Sequence, residues 1–168
     1  MQIGELVLYG ANGVCRVDDS RTEKLGTEVR TYYILKPIRN EHSTIFVPMD
    51  NPQLVAQMKP LLRERELTDL LRECAESEEE TWISDARARI EYYKGVLASG
   101  ERALLLCAIR TLYIHRAELG VRGKQLCVSD ESFLARGEEI FVDELSVVFS
   151  LSREDARALL YRGLKLEN

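Results

Sequence analysis

LVLYGANGVCRV, residues 6–17, decides how the start of the chain is read. Residues 6–9 and 14–17 are short runs of aliphatic and β-branched side chains, and Gly10, Asn12 and Gly13 lie between them. Such runs, interrupted by turn formers, predict two strands joined by a turn. The glycines do not form a phosphate-binding loop, because no Lys-Ser/Thr pair follows and the next segment has the pattern of a strand rather than a helix. Further along, TYYIL (residues 31–35) and TIFV (residues 44–47) repeat the strand pattern, with Gly26, Pro37 and Asn40 in the gaps.

From Leu54 the apolar period changes to that of helices, and Pro60 is the last proline. The expected fold class is α+β in two domains. Residues 1–53 form a small Tudor/SH3-like β-barrel of four to five strands, and residues 54–168 a bundle of about five helices. A short helix is expected around residues 66–74, followed by the acidic run Glu76, Glu78, Glu79 and Glu80 as a solvated connection or helix start. A second helix is expected over residues 81–98, with Ile83, Ala86, Ile90, Tyr93 and Leu97 on one face and Ser99 and Gly100 ending it. Residues 103–119 are so apolar that they predict the most buried helix, the organiser of the bundle. Ser129 is a cap for a fourth helix, and Ser152 with Asp155 resembles a capping box for a fifth, to about Lys165.

The net charge is −5, and it is uneven. Residues 1–60 hold seven Lys/Arg and seven Asp/Glu, so the helical half carries the whole acidic surplus. Non-specific affinity for nucleic acid grows with the number of phosphates neutralised, so any DNA contact must be local and assisted by a partner. Cys15, Cys74, Cys107 and Cys127 are scattered, with no CxxC pair, and His42 and His115 stand far from them in sequence. That spacing points to neither a metal site nor a disulfide framework. Carboxylates interleave with Lys and Arg along helices, as in EDARALLYR, and no nucleophile motif occurs. The expectation is a protein without catalytic residues, cofactor or small-molecule substrate. No apolar stretch approaches the roughly 20 residues of a membrane span, and the N-terminus lacks a basic flank before an apolar core. A cytoplasmic location is expected.

Trp82 is the one tryptophan, placed at the start of the second expected helix after a polar, acidic stretch. It reads either as a core or hinge residue packed against the first helix, or as an aromatic wedge for a partner.

The segments GELVLYGANGVCRV (residues 4–17), YYIL (32–35) and IFVPMDN (45–51) resemble the CarD/CdnL module, which is shared with the polymerase-binding domain of transcription-repair coupling factor. Trp82, LASGE (97–101), IRTLY (109–113) and DESFLARGEEIFVDEL (130–145) are similar to that family's helical domain. The resemblance implies that the Tudor-like module docks on the RNA polymerase β subunit. It also implies that the tryptophan meets the minor groove of promoter DNA at the upstream edge of the bubble, largely independently of sequence, and so stabilises the open complex. Carried over, Trp82, Arg87, Arg89 and Lys94 are the candidate DNA-binding residues. Arg30, Tyr32, Thr44, Ile45, Phe46 and Val47 are the candidates for polymerase binding, although strand 44–47 could instead merely close the barrel. Many family members have a dense Arg/Arg/Tyr/Lys cluster after the tryptophan, whereas WISDARARIEYYK has an acid and three cations, which implies weak DNA affinity. Gly137 stands where alanine is usual, at about 1 kcal/mol of helix propensity. The alternative reading is a polymerase- or protein-binding adaptor without significant DNA contact.

Overall fold

Val7 and Tyr9, Cys15 and Val17, and Leu35 and Val47 point to the same side of their strands and form a buried core with Met58. Period-2 spacing of apolar residues places them on one face of a sheet. In the computed structural model, which describes residues 1–166, that sheet comprises β1 (Leu6–Tyr9), β2 (Val14–Leu25), β3 (Glu28–Pro37), β4 (Ile45–Pro48) and β5 (Met58–Pro60). Residues 167 and 168, the end of the expected helical half, lie outside the described residues. All neighbouring strands are antiparallel, in the order β4-β3-β2-β1-β5.

β2 and β3 are much longer than the runs that announced them. They pair from Cys15–Pro37 out to Leu25–Glu28 and turn at Gly26, whose φ of 65° lies in the left-handed region. Beyond a register shift at Val17/Asp19 most of the ribbon's side chains are exposed, so no buried face marks it in the sequence. Cross-strand contacts such as Thr22 to Thr31, 3.0 Å between hydroxyls, help to hold it.

β4 and β5 are the two edges of this order, and among the described residues no ladder joins them. The hydrogen-bonded sheet is therefore open, and closure into the expected barrel is not seen.

The chain forms two compact units, Met1–Leu61 and the residues that follow. Two elements lie across or beyond the expected boundary at 53/54, before Leu61. Asn51 caps the short helix α1 (Pro52–Ala56), its Oδ1 accepting from the Leu54 N–H at 3.2 Å, and β5 then pairs with β1. The β-unit needs its last strand to cover Val7 and Tyr9, and a three-residue strand containing Pro60 has no period that a sequence could show.

Among the described residues the second unit holds five helices: α2 (Glu64–Glu76), α3 (Ala86–Ser99), α4 (Arg102–Val121), α5 (Val128–Val148) and α6 (Arg153–Gly163). Gly100 ends α3 in the left-handed conformation, and the Ser152 hydroxyl caps α6 by accepting from Asp155 N–H at 3.1 Å, both as the sequence predicts. Two expectations are corrected. The organising helix is α5 rather than α4: Phe133, Leu134 and all of residues 140–145 are buried on α5, whereas Ala103 and Leu104 of α4 face solvent. Its partners α3, α4 and α6 pack around it. High apolarity marked α4, but burial goes to the helix surrounded on most sides, and charged residues can be carried there when they are paired. The other correction is the start of α3, which falls at Ala86 and not at residue 81. Asp85 is its cap, accepting from Ala88 N–H at 2.8 Å.

Candidate functional site

Trp82 lies in the extended segment between α2 and α3, so the expected Trp-bearing helix start is corrected: the residue is on a strap. Its indole stacks on the His115 imidazole of α4, ring centres 3.7 Å apart and planes 19° from parallel. The guanidinium of Arg89 lies over the same indole, 4.5 Å from the ring centre. The outcome is between the two readings of the sequence, since Trp82 is half-buried and its ring partners are His115 and Arg89.

Arg89 is itself buried, 6% exposed. Its Nε and Nη2 donate to both Asp130 oxygens at 2.8–3.0 Å, and Nη1 donates to the Ile83 carbonyl at 2.9 Å. The bond to Asp130, above all, raises the Arg89 pKa, so the guanidinium stays charged. Bidentate pairing consumes this arginine inside the bundle. The Arg89 guanidinium thus joins the Trp82 strap to α5, and it is not at the surface as the expected DNA contact would need. The pair adds Arg89 to the buried residues of α3, which are Arg89, Tyr93 and Val96; of the apolar stripe read from sequence Tyr93 is buried, Ile83, Ile90 and Leu97 are half-buried and Ala86 is exposed. Of the other two expected cations, Arg87 is exposed and Lys94 is exposed beside Glu91 at 3.2 Å.

Carboxylates line the cavity beside Trp82. Glu79, Glu80 and Glu118 line a cavity of about 220 Å³ with Trp82, Thr111, Ile114 and His115. Thr111 Oγ1 lies 3.4 Å from a Glu80 carboxylate oxygen, and Glu118 sits 3.5 Å from His115 Nδ1. Three carboxylates at this opening repel a phosphate backbone and favour a cationic side chain.

In the β-unit, β4 is an edge strand whose side chains alternate. Val47 is fully buried and Ile45 packs against the core, while Phe46 is 46% exposed. Phe46 meets Tyr32 of β3 edge to face, with ring centres 5.9 Å apart. Arg30 lies two residues further along β3, 3.3 Å from Asp50, and Thr44 is exposed just before β4. The six expected polymerase-binding residues thus divide. Phe46, Tyr32, Arg30 and Thr44 offer side chains at the surface, whereas the side chains of Val47 and Ile45 serve the core, which leaves these two residues the backbone of the edge strand.

Residues 1–61 match the family model of the CarD-like/TRCF RID domain. The N-terminal unit belongs to that family. The RID is an RNA polymerase-interacting domain, a protein-interaction module and not a catalytic one, and it supports a polymerase partner for this chain. No curated protein matches the chain. The match ends at Leu61, where the RID unit itself ends, and leaves the helical unit to be read from its own geometry.

Sequence reasoning missed Asp130, His115 and the carboxylates facing Trp82 as parts of one site. Asp130 and Arg89 are 41 residues apart, and nothing in their spacing ties them together. Asp85 as a helix cap was the available signal, because a helix starting at Ala86 puts Trp82 on a strap.

Proposed function

We propose that the chain is a bacterial transcription regulator that docks on the RNA polymerase β subunit through the β4 edge of its RID domain and offers its helical unit to a second partner. The observation that carries the reading is the half-exposed Phe46, backed by Tyr32, on the edge strand of a domain from a polymerase-interacting family. An edge strand provides unpaired backbone groups for strand addition, and an aromatic anchor supplies specificity. A polymerase partner implies a cytoplasmic location.

Two readings of the helical unit follow. In one, Trp82 wedges into the minor groove of promoter DNA and stabilises the open complex, with Arg87 and Lys94 on nearby phosphates. In the other, the unit contacts protein and the chain is an adaptor. The carboxylates around Trp82 and the internal commitment of Arg89 support the adaptor.

The test is open-complex lifetime with cognate polymerase, alongside polymerase-binding affinity, for the parent chain, Trp82→Ala and Phe46→Glu. The adaptor reading expects Phe46→Glu to abolish binding and Trp82→Ala to leave the lifetime unchanged. A lifetime that the parent chain lengthens and Trp82→Ala restores would establish the DNA reading instead. Undiminished binding by Phe46→Glu would remove the docking assignment.

A further inference from the structure

Cys74, near the end of α2, and Cys107, on α4, bring their sulfurs to 3.7 Å although 33 residues separate them in the chain. Both are free thiols. A disulfide bond is about 2.05 Å long, so side-chain rotation has to close about 1.7 Å. The other two cysteines are differently placed. Cys15 is sealed in the sheet core of the RID unit, and Cys127 precedes α5 with its thiol donating to Asp130 at 3.0 Å.

We infer that Cys74 and Cys107 form a dithiol–disulfide couple, an oxidative-modification site whose oxidant is a hydroperoxide. Thiols of cytoplasmic proteins are held reduced, and disulfides that do form there are transient and redox-sensing.

The two sulfurs are unequal. Cys74 is buried; burial, and then the neighbouring Cys107, push its pKa up to about 12, with Glu80 adding to the rise and Arg110 opposing it. Cys107 is half-exposed, so the oxidant reaches it first. Its thiolate attacks one peroxide oxygen, the O–O bond breaks, and the other oxygen leaves as hydroxide or alkoxide and takes up a proton. The resulting sulfenic acid lies in contact with Cys74. As the Cys74 sulfur attacks, the S–S bond forms, the S–O bond breaks, and the Cys74 proton leaves with the hydroxyl as water. Two electrons have passed from the two thiols to the peroxide. A thiol reductant reverses the step.

The position of the pair gives it a consequence. Ser77 N–H and Oγ both donate to the Cys74 carbonyl, at 3.3 and 2.7 Å, and Arg110 of α4 donates to the Ser77 carbonyl at 3.2 Å. On the other side, Thr111 donates to the Cys107 carbonyl at 2.9 Å and also reaches Glu80. The couple therefore lies beneath the near end of the strap that carries Trp82, and oxidation ties α2 to α4 at its root.

The experiment treats the full reduced chain with hydrogen peroxide, alkylates it unfolded, and maps the cross-linked peptides by mass. The expected product is a Cys74–Cys107 link that survives in Cys127→Ser, is absent in Cys107→Ser and is reversed by dithiothreitol. The oxidised chain should melt about 5–10 °C higher, because the link closes a long loop in the unfolded state. Amide exchange across residues 77–85 should slow by about fivefold or more. Cys107 oxidised to sulfinic acid beside a Cys74 that still alkylates, links running chiefly through Cys127, or unchanged exchange in the strap would overturn the proposal. Cys74→Ala keeps a small buried side chain, and matching its circular dichroism to the parent's separates loss of the link from loss of the fold.

Discussion

The RID unit and the helical unit handle charge differently. Among the described residues, the buried charged side chains, Arg89, Asp130, Asp143 and Glu144, all belong to the helical unit. The core of the RID unit is Val, Leu, Cys, Met and Tyr, and its arginines and carboxylates meet at the surface, as Arg30 does with Asp50. In the helical unit Arg102 pairs with Glu144 at 2.7 Å, Arg153 with Asp143, and Arg89 with Asp130. A buried pair costs desolvation on both sides and returns a defined geometry only when its hydrogen bonds are complete. The lesson concerns function as much as stability. Arginines that a sequence offers to phosphate can be structural clamps, whereas the RID unit leaves the aromatic pair Phe46 and Tyr32 at its edge, where docking is proposed.

The largest expected effect tests that contrast directly. Asp130→Ala leaves Arg89 buried without its carboxylate and should cost about 3–5 kcal/mol, measured by denaturant unfolding. Val47→Ala, in the uncharged core of the RID unit, should cost about 2–3 kcal/mol. If Val47→Ala proves the costlier of the two, the clamp role of the Arg89–Asp130 pair fails. Phe46→Glu is expected to change stability by no more than about 0.5 kcal/mol while weakening polymerase binding by more than about tenfold. An equal loss of binding and of stability would mean that Phe46 belongs to the fold and not to the edge.

Two glycines sharpen the comparison at smaller scale. A Cβ on Gly163 at the end of α6 would stand 2.9 Å from Leu71 Cδ1 and 3.1 Å from Leu71 Cβ of α2. Gly163→Ala should therefore destabilise by about 1–2 kcal/mol, and a neutral result would show that α2 and α6 yield more readily than this contact implies. Gly137 on α5 has Ile109 and Leu105 side-chain ends 3.1–3.2 Å from its would-be Cβ. The helix-propensity gain of about 1 kcal/mol on Gly137→Ala is opposed by that crowding, so the net thermal shift should be close to zero. Glycine here is compensated by the close approach of α4, and its apparent cost in the sequence is mostly cancelled.

Legibility followed the same division. The buried parts of β1 to β4 were visible because they are runs of aliphatic, β-branched and aromatic side chains between turn formers, and Gly100 and Ser152 were visible because helix ends need particular residues. The outer β2–β3 ribbon was not, having no covered face, and β5 was too short to carry a period. In the candidate site, Phe46 and Tyr32 could be found from the strand pattern and the family likeness. The environment of Trp82 could not, because it is made by α4 and by a carboxylate 41 residues from its arginine.

By itself, then, the sequence determined an α+β chain with a β-rich start, a helical remainder and a polymerase-binding resemblance, since these rest on local periods and turn chemistry. Only the tertiary structure decided that α5 is the central helix, that the RID unit runs to Leu61, that Arg89 faces inward and that Trp82 sits among carboxylates. Those outcomes depend on which distant residues meet, and burial and charge pairing are properties of the meeting, not of either residue alone.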